Sequence, residues 1–421
     1  MNINFVIFGG TGDLTKRKLA PALDAISQKQ KLTINLVGVG RSDYTDSTYR
    51  KYLGLQESNQ KLQVKYYRGD VVDKASMQGL SNIIRTNKAD QNIFYLATSY
   101  TLFDKIFSLL QEYRHLPIKI MIEKPFGSDY TSWKKLNSAM RKDFIRDQVF
   151  RVDHYVAKQT VDNILLLRFS NPLFENIWNG SFIDTIKIVA KEERDVNKRL
   201  DYYDGAGAIR DMIQNHLLQT AAFILMEPPH SLDPDEIRKE KTKAISKLAY
   251  KDIEVGQYAD YQKEVKKRLN KKTQTETYAK LMLLSKSKRW KGTNIILETG
   301  KKLETTEAYI ELQFRKEPCM IYCNINTTPN VLRIDIQPEK SISLTINTRM
   351  SGEKPHIEPV QMNVSPKDDC GENTPESYEI IISECIKGNK RIFIRATELD
   401  ASWKLIDTVK NKVRGKELFI Y

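Results

Sequence analysis

The chain of 421 residues is 40% hydrophobic, has four cysteines and carries a formal net charge of +14. The length exceeds one ordinary core and the hydrophobic share excludes a disordered chain, so two domains are expected. Four cysteines exclude a disulfide scaffold, and no run of eighteen apolar residues marks a membrane span; Met1-Asn2 leads straight into apolar sequence without a basic n-region, so a soluble, cytoplasmic protein is expected.

Ile3 to Phe8 is a continuous apolar run of the kind that forms a buried parallel strand, and Leu14 to Gln28 has the period of an amphipathic helix. Between them stands Gly9-Gly10-Thr11-Gly12-Asp13-Leu14. A glycine-rich turn there lets the backbone approach a diphosphate at a helix start, although G-x-x-G is less than the full dinucleotide fingerprint and also suits a plain tight turn. Further strands are predicted at Ile34 to Val39, Val64 to Tyr67, Asn92 to Ala97 and Lys119 to Ile122, with a helix over Leu102 to Tyr113. Strands alternating with helices predict a Rossmann-type, doubly wound parallel sheet over residues 1–150. The second strand ends at Arg41-Ser42 rather than at an acid. A cation and a hydroxyl suit a 2′-phosphate, so NADP is expected, with NAD the weaker alternative.

After Phe150 the pattern changes. Helical stretches at Gln159 to Leu167 and Ile209 to Leu225 are joined by alternating segments at Thr185 to Ala190, Ala308 to Phe314, Cys319 to Asn324, Leu332 to Gln337 and Ser341 to Asn347. Alternation without intervening helices predicts an α+β domain over residues 151–421 with a large, mainly antiparallel sheet, followed by helices near Ser377 to Gly388 and Glu398 to Val409. From Arg238 to Lys291 there are 17 Lys/Arg against 6 Asp/Glu, but aromatics are few and no groove-reading motif is present, so a solvated helix face is expected rather than a nucleic-acid or membrane surface. Cys319, Cys323, Cys370 and Cys385 form no paired CxxC set, so reduced cysteines and no metal site are expected.

The densest polar cluster is Arg151-Val152-Asp153-His154-Tyr155-Val156-Ala157-Lys158, to be read with Gln214-Asn215-His216. With Gly9 through Leu19, Glu123-Lys124-Pro125-Phe126-Gly127, Tyr203-Asp204, Asn171 through Phe174, Ile177-Trp178-Asn179, Arg289 through Gly292 and Thr299 through Leu303, these segments closely resemble the glucose-6-phosphate dehydrogenase family, in its order and over nearly the whole chain.

The resemblance implies oxidation of glucose 6-phosphate at C1 to the 1,5-lactone, the first oxidative step of the pentose phosphate pathway, by a homodimer or dimer of dimers. His216 is then the base, since a neutral imidazole suits removal of the hydroxyl proton as hydride leaves, and Asp153 the carboxylate that fixes its tautomer. His154, Tyr155 and Lys158 would hold the substrate phosphate. Glu192, Asp204, Lys301 and Gln337 would meet sugar hydroxyls. Lys124, before a proline that the family often joins through a cis peptide, would orient both substrate and cofactor. Cofactor contacts fall to Gly9, Gly10, Thr11, Gly12, Asp13, Leu14, Arg41, Ser42 and Lys124.

Departures from the family pattern lie near these positions. Thr98-Ser99-Tyr100 stands where a proline is usual, Ala157 replaces a glycine, Gln159 a glutamate, and Thr306 an arginine near the phosphate. Asp335 occupies the place of an arginine that serves a second, structural NADP in some relatives, so no such site is expected, and the chain ends at Tyr421 without the usual extension. A paralogue acting on another hexose or amino-hexose phosphate, or a catalytically silent NADP-binding homologue, are the alternative readings; Asp153 and His216 are both present.

Overall fold

The computed structural model describes residues 1–30, 32–157, 159–196, 199–316, 327–350, 356–364 and 376–421. Lys158, the strand expected at Cys319 to Asn324, Cys370 and the side chain of Gln159 lie outside what is described. The chain divides into two compact units. The first comprises Met1–Ala157, Asp233–Arg238 and Pro375–Asp400; the second comprises Lys158–Leu232, Lys239–Thr374 and Ala401–Tyr421. A single boundary after residue 150 therefore misses two late segments that pack with the first unit, and no local pattern in them announces that return.

The first unit contains a six-stranded parallel sheet in the order β3-β2-β1-β4-β5-β6, from β1 (Asn2–Phe8), β2 (Thr33–Gly40), β3 (Leu62–Arg68), β4 (Gln91–Leu96), β5 (Ile118–Ile122) and β6 (Val149–Arg151). Ile3 and Phe5 through Phe8 are fully buried, which explains why β1 reads as unbroken apolar sequence. The exception, Asn4, is aligned with Asn35 on β2 and Asn92 on β4. Its amide donates to Asn92 Oδ1 at 2.8 Å and to the Ile84 carbonyl at 3.0 Å, so the buried polar group is satisfied. The helix predicted from Leu14 is interrupted by a π-helical turn at Thr15–Leu19 before the regular Ala20–Lys29.

Among the described residues, the second unit contains a nine-stranded sheet in the order β14-β13-β12-β11-β7-β10-β9-β8-β15. Its strands are β7 (Ile183–Lys191), β8 (Leu248–Gln257), β9 (Tyr278–Ser285), β10 (Asn294–Gly300), β11 (Glu307–Phe314), β12 (Val331–Gln337), β13 (Ser341–Met350), β14 (His356–Val364) and β15 (Phe419–Ile420). Pairing is antiparallel except at β7–β10 and β8–β15. Strands β9 to β12 bury every second residue, so one face carries the core.

Helix Leu218–Leu225 is buried along its whole length. Its terminal carbonyls, which lack partners within the helix, are met by three side chains. Trp178 Nε1 donates to Ile224 O at 2.9 Å, Trp290 Nε1 to Leu225 O at 2.8 Å, and Arg168 to Phe223 O at 2.9 Å and Met226 O at 3.0 Å. Arg289 Nε donates to Trp178 O at 2.7 Å, so the Ile177-Trp178-Asn179 and Arg289-Trp290 motifs brace one helix end.

The basic stretch is not one helix face, because it covers parts of two helices and strands β8 and β9. Lys263, Lys266, Lys267 and Arg268 do project into solvent from helix Tyr261–Leu269, which buries Tyr261 and Val265. Among the described residues, no helix is long and apolar enough to cross a membrane, and Cys385 is a buried free thiol whose pKa burial pushes up to about 12.

Candidate active site

In the first unit the chain leaves β1 through Gly9, whose φ of +92° is left-handed. The Gly9 and Gly10 amides both donate to Val39 O, at 3.1 and 2.9 Å. A Cβ on Gly9 would stand 2.5 Å from the Ala97 carbonyl oxygen, and one on Gly10 2.7 Å from Gly38 Cα, so backbone on either side forbids a side chain. Gly12, whose amide bonds Gly9 O at 2.9 Å, meets only that oxygen. Tyr49 and Tyr52 donate to the carbonyls of Gly10 and Thr11, both at 2.7 Å, and fix the turn from outside. Thr11 lies beside Gly40, and Arg41 and Ser42 follow it in solvent. Asp13 pairs with Arg17 at 2.7 Å, and Leu14 is half-buried. The open outer face at Gly12 and the exposed Arg41-Ser42 fit a dinucleotide with its phosphates at the turn.

The same unit gathers a second group. The Lys124-Pro125 bond is cis. Glu123 is buried and accepts hydrogen bonds from the hydroxyls of Tyr95 and Tyr378, the latter at 3.1 Å. Burial raises its pKa, against the lowering effect of those bonds and of Lys124, while the nearby Asp153 charge adds to the rise. Asp153 is buried, and its Oδ1 accepts the Tyr155 amide at 3.0 Å, a short turn that sets the His154 ring. That ring lies stacked on Tyr378 with centroids 6.1 Å apart and edge-on to Tyr155 at 5.8 Å. Tyr378 is a residue that sequence reasoning missed, because it arrives from 224 positions beyond His154 and no spacing signals it.

In the second unit His216 is buried on a π-helical segment, Ile209–Leu217. Glu276 sets the start of this segment: its backbone carbonyl accepts the Ala208 amide at 3.0 Å and its Oε1 the Ile209 amide at 3.0 Å. A buried carboxylate is well placed at a helix N-terminus, although burial raises its pKa more than the Ile209 amide and its own amide lower it. Gly207, at φ +70°, makes the bend, and a Cβ there would stand 2.4 Å from the Glu276 carboxylate. Thr220 Oγ1 donates to His216 O at 2.9 Å, Asn215 Nδ2 to Arg210 O at 3.1 Å, and Gln214 to Ser402 Oγ at 3.2 Å. π-Helical turns often mark functional positions.

Lys301 is buried, bonds the Glu192 carboxylate and lies 5.9 Å from the centre of the Tyr203 ring. Asp211, buried and five residues before His216, pairs with Arg199 at 3.7 Å and raises the Tyr203 pKa after burial itself. Gln337 is half-buried at the end of β12.

Asp204 behaves differently from the expectation. Its Oδ1 accepts Thr273 Oγ1 at 2.6 Å and Tyr261 OH at 3.1 Å, and its Oδ2 pairs with Lys271 at 2.7 Å. Burial would raise its pKa, but these three partners overcome that and hold it low. Its carboxylate is occupied with internal structure. Thr306, one of the departures, bonds the backbone and carboxylate of Glu193, and Asp335 bonds Arg333 at 2.8 Å and Ser341 at 2.7 Å.

Two sequence models cover almost the whole chain: "Glucose-6-phosphate dehydrogenase, NAD binding domain" over residues 6–163 and "Glucose-6-phosphate dehydrogenase, C-terminal domain" over 165–421. The chain belongs to the glucose-6-phosphate dehydrogenase family. It is similar to the glucose-6-phosphate 1-dehydrogenase of Borreliella burgdorferi, 32% identical with 100% of this chain and 94% of that protein covered. It is 33% identical to that of Bacillus subtilis, with 96% and 90% covered. A solved glucose-6-phosphate dehydrogenase in complex with glucose 6-phosphate superposes with a TM-score of 0.91 at 30% identity, over 100% of this chain and 94% of that one. Within this family the first unit is the nicotinamide-dinucleotide-binding part, which agrees with the geometry of the Gly9 to Gly12 turn.

Proposed function

We propose that this protein oxidises glucose 6-phosphate at C1 to 6-phosphoglucono-1,5-lactone with NADP as cofactor. The observation that carries the reading is family membership over the whole chain, joined to an intact Asp153-His154-Tyr155 segment and a buried His216 on a braced π-helical turn. When bound, the nicotinamide supplies the hydride acceptor. His216 takes the C1 hydroxyl proton as the carbonyl forms, and the charge it gains is balanced by the Asp153 carboxylate. His154, Tyr155 and Lys158 donate to the phosphate. Lys124, Glu192, Lys301 and Gln337 orient the sugar. Asp211 joins them in preference to Asp204, because it is buried on the His216 segment beside the ring that Lys301 also faces.

Arg41 and Ser42 take the 2′-phosphate, with Gly9 to Leu14 at the diphosphate and Lys124 toward the nicotinamide. The protein works in the cytoplasm as a homodimer or dimer of dimers, assembled through the second unit, which is the substrate-binding and dimerisation domain.

Steady-state assays with glucose 6-phosphate, other hexose and amino-hexose phosphates, unphosphorylated glucose, NADP and NAD test the reading. Glucose 6-phosphate with NADP should give the highest kcat/KM, and preference for an unphosphorylated sugar would remove the phosphate roles. Arg41→Ala should weaken NADP by tenfold or more, on the order of the 1.5–3 kcal/mol of a charge-assisted contact, while leaving NAD nearly unchanged. Equal loss of both would take Arg41 out of the site.

A further inference from the structure

The geometry points to a second anion site in the first unit, built for a small organic phosphate with an apolar or planar body. A cavity of about 500 Å³ opens at the β6 edge of the parallel sheet, and five cations line it: Arg141, Lys142, Arg151, Arg238 and Arg395. Strands β4 and β5 separate β6 from β1, so the cavity stands about 15 Å across the sheet from the strand that feeds the glycine turn.

Two of these guanidinium groups are more than nine-tenths buried, with Arg151 7% and Arg238 5% exposed. Arg238 pairs with Asp235 and donates to Pro234 O at 3.3 Å. Arg151 donates from Nη2 to Asn137 Oδ1 at 3.1 Å and lies 5.4 Å from the centre of the Trp133 ring. Its buried Nε has no hydrogen-bond partner among the described residues. A buried guanidinium with an unused donor is costly, and Arg151 also lines the cavity, so an anion held there offsets part of the cost of burying its charge.

Among the described residues, Asp235 pairs with Arg238, and the Asp400 and Glu398 charges act on Arg151. Asp400 is shared with Trp133 Nε1 at 2.8 Å and Lys134 at 3.7 Å, and Glu398 accepts the Arg395 amide at 2.9 Å. Among the described residues the lining holds five cations and no carboxylate, so the wall of the cavity is positive. The lowering of the Arg151 pKa to about 10, by burial and then by Arg238 with a further contribution from Arg141, reports the same crowding. Planar guanidinium forks pair with carboxylate and phosphate oxygens alike, but a phosphate, with three terminal oxygens and a charge of up to two, can meet several of the five cations at once, which favours it over a carboxylate. Met140, Phe144, Ile145 and Val149 give the lining an apolar side, with Asn137, Ala396 and Thr397 beside it, so the body attached to that phosphate is apolar or planar rather than a bare ion.

Titration calorimetry on the full chain with phenyl phosphate and with inorganic phosphate tests the site. The comparison proteins are the exposed-rim double variant Arg141→Gln/Lys142→Gln, which leaves the fold intact, and His154→Gln, which alters the proposed substrate-phosphate position. The expected result is a phenyl phosphate binding event that weakens about tenfold or more in the rim variant, survives in His154→Gln, and is tighter than that of inorganic phosphate. Binding unchanged in the rim variant, or removed by His154→Gln alone, overturns the site. Absence of binding also overturns it, and equal affinity for inorganic phosphate overturns the organic body.

Discussion

The glycine turn of the first unit and the His216 segment of the second are both precise, but they are made precise in opposite ways. The turn is fixed first by close backbone: Gly9 and Gly10 lie against Ala97, Gly38 and Val39, where no side chain fits, and Tyr49 and Tyr52 then hold its outer carbonyls. The His216 segment is fixed by side chains drawn from distant parts of its unit. Glu276 holds its start, Thr220 and Ser402 bond its middle, and Trp178, Trp290 and Arg168 hold the far end of the helix that continues it. A phosphate-binding turn needs close approach, which glycine permits, whereas a proton-accepting imidazole needs an orientation that a shell of partners imposes.

The contrast can be broken at either end. Gly9→Ala should have the largest effect on stability, about 3 kcal/mol or more, since a left-handed φ and a 2.5 Å approach to backbone are both violated. Chemical denaturation measures it, and a loss below about 1 kcal/mol would mean that the turn relaxes and is not backbone-limited. Glu276→Ala should cost about 1–3 kcal/mol by leaving the Ile209 amide without its carboxylate, and should lower kcat more than it raises KM. Glu276→Gln, which keeps an acceptor, should recover most of both, and failure of that rescue would separate Glu276 from the placing of His216.

Asp204→Asn should be the mildest, about 1 kcal/mol at neutral pH, because its Lys271 partner is half exposed and screened. Its folded pKa lies below the ordinary 3.8, so its contribution is full above that value and disappears as pH falls through the lower, folded one. The stability gap between variant and parent should therefore close on acidification, as measured by denaturation between neutral pH and about pH 3. A gap that widens would contradict the ion-pair assignment.

What was legible in the sequence follows the same division. The strands from β1 to β5 were predictable as local apolar or alternating runs, and the glycine turn because it stands between the first strand and a helix start, although that motif also suits a plain tight turn. The two-residue strand β15 and the three-residue β6 are too short to show a period, and in β8 and β9, inside the basic stretch, charged residues such as Lys251, Asp252, Glu254 and Lys280 mask the alternation. Asp153, His154, Tyr155 and His216 were legible as family motifs. Tyr378, Glu276 and Asp211 were not: the first two reach their partners across more than sixty residues, and Asp211 looks in sequence like any acid beside an arginine. The partners of Asp204 were not legible either, because Thr273, Tyr261 and Lys271, which bond its carboxylate, lie far along the chain.

The central claim is that His216 is the base in an NADP-linked oxidation of glucose 6-phosphate. Its most direct test is His216→Asn, with kcat, NADP affinity and thermal stability measured on the same preparation. We expect kcat to fall by about 10² to 10⁴ with cofactor affinity and stability nearly unchanged. An enzyme that keeps its kcat, or that loses activity only in proportion to lost stability, would contradict the claim.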